Sequence, residues 1–333
     1  MWDFELRKAI GLMLKTMPFL VLRMGVYFGI TLGYILLTGT GAGLGWGIGG
    51  FGSSDFQAQS AFWGGLIGFG IFGTIAYLMR EYILYIVKAG HIAVLLELVH
   101  GNRVPEGRSQ VQHARLSVQE RFGQASVLFA LDQLIKGVIK AISGLARGIL
   151  TFLPVPGLEQ LARLLHAFLK VAIGFIDELI LAYAMHTRSD NPWSASKDAL
   201  VLYGQNYKTM FKNAAWLALI IYGLSLLVFI VMLFPAGLLV YLAPGGWSAA
   251  SVVLALLLAW SLKAAVLEPL AITCMMQVYF KTIADQEPNP EWDARLEQMS
   301  RQFRTIKEKA RQFGRGNDAP EPAAANPGAE PPP

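Results

Sequence analysis

Ionisable residues standing inside apolar stretches are the positions where this chain could do chemistry. Lys263 and Glu268 lie in the last long apolar stretch, with Pro269 beside Glu268. Asp177 and Glu178 are adjacent carboxylates followed by Ile180, Leu181 and Tyr183. Charge at membrane depth costs about 2.5–3.5 kcal/mol per residue on translocon scales, so such groups face a bundle interior or a hydrated path. Carboxylates in that position could hold a small cation. Tyr183 and Trp260 would offer it aromatic faces worth about 0.5–2 kcal/mol. Asp177, Glu178, Tyr183, Trp260, Lys263 and Glu268 are therefore the candidate binding residues. Lys263 and Glu268 are five positions apart, about 140° round an α-helix, and are not expected to pair with each other. Arg23, near the start of the first apolar run, is expected to snorkel to the inner surface.

Catalytic patterns are missing. The chain has no H-E-x-x-H, no G-x-S-x-G, no phosphate-binding loop of the Walker type and no paired cysteines. Gly68-Phe69-Gly70-Ile71-Phe72-Gly73 matches G-x-G-x-x-G, but it lies inside an apolar helix with no strand before it. No enzyme, cofactor or metal site is expected. Cys274 is the single cysteine, so a disulfide framework within the chain is excluded and a buried structural thiol is expected.

The elements that carry these residues are set by hydrophobicity. Hydrophobic residues make up 54% of the 333, and charged residues only 15%, which points to a polytopic membrane protein. From Asn213 to Leu262 fifty consecutive positions carry no charge, enough to cross a bilayer core of about 30 Å twice. The turn signal Ala243-Pro244-Gly245-Gly246 divides them into a hairpin of 214–242 and 248 to about 270, with a kink expected at Pro235 and Gly237. Met24 to Ser54 and Phe56 to Met79 are likewise uncharged and form a first hairpin, with Asp55 between its arms. Gly25, Gly29 and Gly33 fall four apart, and Gly64 and Gly68 repeat the device; close helix packing is their expected role, with a glycine-lined conduit the sharper alternative.

The basic residues give the orientation. None of the 28 Lys and Arg falls in the connector from Leu37 to Phe56 or in the one around Pro244. By the positive-inside rule both termini and the central region are cytoplasmic, and the membrane is expected to be the plasma (inner) membrane. The N-terminal segment has Trp2, Leu6, Ile10 and Met13 on one face and Arg7, Lys8 and Lys15 beside it, the pattern of a helix lying on anionic headgroups. The bilayer is thus the expected partner, and no nucleic acid is.

Two patterned helices, about 113 to 152 and 157 to 186, stand between the hairpins. Asp132, Lys136, Lys140, Ser143 and Arg147 step along one stripe; Glu159, Arg163, His166, Lys170 and Asp177 step along the other. Such stripes fit a helix lying in the interface, a pair meeting stripe to stripe, or the lining of a hydrated path. An antiparallel turn near Val155 sets Lys140 against Lys170 and Arg147 against Arg163, which argues against a dry pairing. If this pair inserts, the spans number six rather than four. Ser194 or Ser196 is expected to cap the next helix, and Asn289-Pro290 to start another. In the latter Trp292, Leu296, Met299, Phe303, Ile306, Ala310 and Phe313 form a heptad seam, expected either to pack on the protein itself or to join copies into a homo-oligomer through a coiled coil. Glu291–Arg295 and Glu297–Arg301 would flank it as ion pairs.

The expected architecture is an all-α, polytopic integral membrane protein, two transmembrane hairpins flanking a central pair of long amphipathic helices. Its parts are an interfacial amphipathic helix at 1–16, a first hairpin at 17–88, central helices at 89–190, an amphipathic helix and second hairpin at 191–286, the heptad helix at 287–313 and a disordered tail at 314–333. Asn191, Ala199, Leu202 and Asn206, spaced N-x7-A-x2-L-x3-N ahead of a long apolar span, resemble the choline transporter-like family near its last spanning helices, over roughly residues 180 to 285. The leading expectation is a carrier or channel for a small solute, toward which that resemblance also points, and no binding residue is carried over from it. The alternative is a non-transporting scaffold that recruits partners through its interfacial helices and heptad tail.

Overall fold

A computed structural model describes residues 2–102, 109–122, 125–151, 176–187, 189–241 and 248–317. The elements are α1 (Leu6–Lys15), α2 (Met17–Gly49), α3 (Ser54–Val99), α4 (Gln110–Phe122), α5 (Ala125–Thr151), α6 (Ile176–His186), α7 (Pro192–Gln205) and α8 (Tyr207–Tyr241). Then come α9 (Ser248–Leu262), a π-turn (Lys263–Leu267), α10 (Glu268–Ile283), α11 (Pro290–Met299) and α12 (Arg301–Asn317). No strand occurs among the described residues. Three helical stretches are long and apolar enough to cross a membrane: Met17–Gly49, Tyr207–Leu238 and Ser251–Ile283. This is the helical membrane class that the hydrophobicity requires.

Burial divides the chain into two zones. Along α2, α3, α8 and α9 large apolar side chains such as Leu36, Trp46, Phe62, Ile67, Leu227, Ile230, Phe234 and Val253 are exposed. In water that surface would be untenable, whereas lipid tails cover it at no cost. Below these helices one core joins α1, the end of α3, α5, α6, α7, the start of α8, α10 and the α11–α12 pair. The boundary falls within a single continuous helix. Leu256 on α9 is exposed, while Leu270, Ile272, Met275 and Met276 on α10 are buried.

The four long apolar helices stand in a row. α3 packs on α2, α2 on α9, and α9 on α8, but α3 and α8 do not pack together to close a ring among the described residues. Between α2 and α3 the backbones touch: a Cβ on Gly64 or Gly68 would strike the carbonyls of Gly41 and Leu37, and one on Gly45 the carbonyl of Ser60. Gly33 meets the Phe72 ring, while Gly25 and Gly29 face open space. Contact between α2 and α3 thus begins at Gly33 and Tyr34, which meet Phe72 and Phe69, and the backbones come closest along Gly41, Gly45 and Gly49, on the same four-residue step beyond the glycines that the spacing singled out. α8 runs through Pro235 without a break.

Local details depart from expectation for physical reasons. Asn191, not Ser194 or Ser196, caps α7: its side-chain oxygen accepts from Trp193 N at 3.2 Å and Ser194 N at 3.1 Å, with Pro192 in the first turn. Asn289 caps α11 in the same way, 2.7 Å from Glu291 N. The heptad helix is not continuous. Ser300 is extended (φ −133°, ψ 116°) and splits it, and its hydroxyl caps α12 at Phe303 N. Leu296, Phe303 and Ile306 are fully buried against α7 and α5, so the middle of the seam packs within the chain, while Phe313 at its end is exposed. The split also sets aside the proposed Glu297–Arg301 pair; Lys307 instead reaches Glu297 (2.7 Å) and Asp293, and Arg295 lies over the Trp292 ring. The second central helix falls on the described residues only from Ile176 onward, and Lys170, Arg163 and the tail from 318 lie outside them.

Candidate functional site

The site begins with a missing hydrogen bond. In an α-helix the Ala264 carbonyl would accept from Glu268 N, and in a π-turn from residue 269. Here Glu268 N donates to Lys263 O, five residues back, and position 269 is proline, which has no N–H. Arg23 on α2 fills the vacancy: its Nη2 donates to Ala264 O at 3.2 Å and lies 3.9 Å from Glu268 Oε2. Its side chain is 1% exposed, so the expected snorkelling does not occur.

The π-turn also corrects the geometry of Lys263 and Glu268. Winding i→i+5 brings residues five apart onto one face, and Lys263 Nζ stands 3.5 Å from Glu268 Oε1. Above them Tyr27 meets the Trp260 ring edge-on at 5.5 Å, and the Thr31 and Ser261 hydroxyls approach to 2.5 Å. α2 and α9 are thus joined by polar and aromatic contacts rather than by glycine.

Lys88 on α3 extends the chain of charge. Its Nζ lies 3.1 Å from Glu178 Oε1 on α6, and it also feels the fields of Glu268 and Asp177. Beyond Glu178, Lys136 on α5 holds Asp132 at 2.6 Å and Asp177 at 3.9 Å. Of the second stripe only Asp177 lies among the described residues, and there it faces Lys136 of the first. At this end Asp177 stands by both Lys136 and Asp132. The ion pairs fall in three groups, Lys263–Glu268–Arg23, Lys88–Glu178 and Asp132–Lys136–Asp177, with Glu178 and Asp177 adjacent on α6.

The carboxylates of α6 respond oppositely. Burial raises the Glu178 pKa, but Lys88 outweighs it and draws the group down to about 2. Burial raises Asp177 well above the usual carboxylate range, and the neighbouring Glu178 charge adds to the rise. Asp177 Oδ1, Glu178 Oε2, Arg23 Nε and His91 Nδ1 are buried with no partner among the described residues.

Of the six expected binding residues, the structure brings Trp260, Lys263 and Glu268 to the α2–α9 joint, and Asp177 and Glu178 to the α3–α5–α6 contact, with Lys88 between the two groups. Tyr183 stands apart. It lines a cleft of about 790 Å³ with Asp3, Glu5, Tyr183's neighbour His186, His100 and Phe280, where the two imidazoles stack at 4.2 Å. Arg23, Lys88, Asp132 and Lys136 were not among the expected site residues. The signal for Arg23 was a lone arginine in an apolar run together with a proline-orphaned carbonyl elsewhere. No metal-holding group of three or more acidic, His or Cys residues occurs among the described residues. No family model matches the chain, and neither a curated protein nor a solved structure does.

Proposed function

We propose that this protein is a non-transporting membrane scaffold. Two hairpins, α2–α3 and α8–α9, cross the bilayer four times with both termini cytoplasmic, and hold a helical domain against the inner face of the plasma membrane. What supports this reading is the ionic chain at the foot of the hairpins. Its charges answer one another across α2, α3, α5, α6 and the π-turn, which fits a role in fastening the domain to the hairpins. Reconstitution tests this directly. Vesicles containing the protein should show no uptake above empty vesicles across a panel of small cations and zwitterions; protein-dependent uptake of any of them sinks the scaffold reading.

A second reading, a carrier for a small cation, draws on a specific observation: the buried, unpartnered oxygens of Asp177 and Glu178. It is also the reading that the choline transporter-like resemblance implies. Under it, Asp177→Asn and Glu268→Gln abolish uptake while expression stays near wild type and thermal stability does not fall.

A further inference from the structure

The N-terminal arm runs across the feet of both hairpins. At one end, α1 enters α2 through Thr16. At the other, Asp3 N donates to Asn213 Oδ1 at 2.7 Å, Asn213 Nδ2 returns a bond to Asp3 Oδ2 at 2.8 Å, and Lys212 reaches the same carboxylate at 2.7 Å. Trp2 meets Trp216 of α8 edge-on at 5.7 Å. Between these ends Glu5 N donates to Gln277 of α10 at 2.9 Å. Because α2, α9 and α8 stand side by side, a helix tied to the foot of α2 and to the foot of α8 must lie across them, in the plane of the membrane surface.

Only one side of α1 is covered. Ala9, Leu12 and Met13 are buried in the core of the helical domain. On the other side Ile10 is 45% and Leu14 59% exposed, and the patch continues onto α2 through Met17, Val21 and Leu22. Arg7, Lys8 and Lys15 are exposed beside it. An apolar edge continuous with the lipid-facing surface of α2 and rimmed by basic groups has one matching occupant, the headgroup–acyl boundary of an anionic lipid layer.

We infer that α1 is a strap docked into the inner lipid surface, its Ile10–Leu14 edge inserted and Arg7, Lys8 and Lys15 on anionic headgroups. This rests on the hairpins spanning the bilayer and names the partner that the scaffold engages. The strap would hold the two hairpins in register and the helical domain flat on the membrane.

The test places an environment-sensitive probe on single cysteines in the full chain, with Cys274 replaced by Ser, in nanodiscs containing spin-labelled lipid. A probe at Leu14 should be quenched about threefold more than one at Gln312 on α12, which points to water. In discs of phosphatidylglycerol that excess should be larger than in discs of phosphatidylcholine, and Arg7→Gln with Lys15→Gln should remove the difference. Equal quenching at Leu14 and Gln312 overturns the strap. Quenching at Leu14 that is indifferent to headgroup charge overturns the anionic partner. A probe at Leu227 on α8 separates this from the parent reading: if it too escapes quenching, the hairpins are not in the bilayer.

Discussion

Arg23 donates to the carbonyl of Ala264 across the joint between α2 and the π-turn, and both are almost completely buried. The bond answers the vacancy that Pro269 creates, so an arginine on one hairpin completes the backbone of a helix in the other. Replacing Arg23 with Met leaves that carbonyl unpaired and weakens the hold on Glu268. An orphaned buried acceptor costs about 1–3 kcal/mol, so Arg23→Met should lower the unfolding midpoint in detergent. Arg23→Lys restores the charge without the planar fork and should recover only part of the loss. A midpoint unchanged in Arg23→Met would remove the bond from any structural role.

Pro269→Ala supplies the missing N–H and permits an ordinary α-helical path. Lys263 and Glu268 would then return to opposite sides of the helix. A double-mutant cycle between Lys263→Met and Glu268→Gln measures this: coupling in the native background should fall toward zero on Pro269→Ala. Persistent coupling would mean that the π-turn does not depend on the proline.

Stability should depend on pH through α6 in two opposite senses. Asp177 binds its proton more tightly folded than unfolded, so its contribution is fully present below about pH 3.8 and is lost as pH rises through its raised folded value. Glu178, drawn from 4.5 to about 2, contributes above pH 4.5 and loses that contribution as pH falls toward 2. Asp177→Asn keeps a neutral group at all pH values. Its midpoint relative to wild type should therefore climb from pH 4 upward, then level off. A difference that is flat with pH would show that Asp177 is not held protonated by its surroundings.

The α2–α3 contact predicts a sharp contrast among glycines. Gly45→Val and Gly64→Val drive a side chain into facing backbone and should destabilise the hairpin by about 1–3 kcal/mol or more. Gly29→Ala meets nothing and should shift stability by less than about 1 kcal/mol. Thermal unfolding in detergent distinguishes them, and equal effects would contradict the register.

Phe303→Glu places a charge in the core beneath α7 and α5. It should release the α11–α12 pair to proteolysis while leaving the oligomeric state by crosslinking unchanged, since Phe303 is already covered from within the chain. A crosslinked oligomer that Phe303→Glu dissolves would restore the coiled-coil reading.

Membrane class and the long apolar helices were legible in the sequence because they follow from local quantities. Fifty uncharged residues from Asn213 to Leu262 leave few alternatives in water, and Asn289-Pro290 starts a helix through bonds within one turn. What tertiary structure decided is which charge meets which. Lys263 and Glu268 pair only because a proline and a π-turn change the winding, and the orphaned carbonyl that results is answered from 241 residues away. Of the glycines that the spacing singled out, Gly33, Gly64 and Gly68 touch the facing helix while Gly25 and Gly29 do not, because contact depends on where two helix axes converge. α1 reads as amphipathic from its sequence, but its direction across the hairpin feet depends on Asp3 finding Asn213 and Lys212 at the foot of α8. Periodicity specifies a helix and its apolar side; the partners of that side are chosen by long-range packing, which leaves no trace in local spacing.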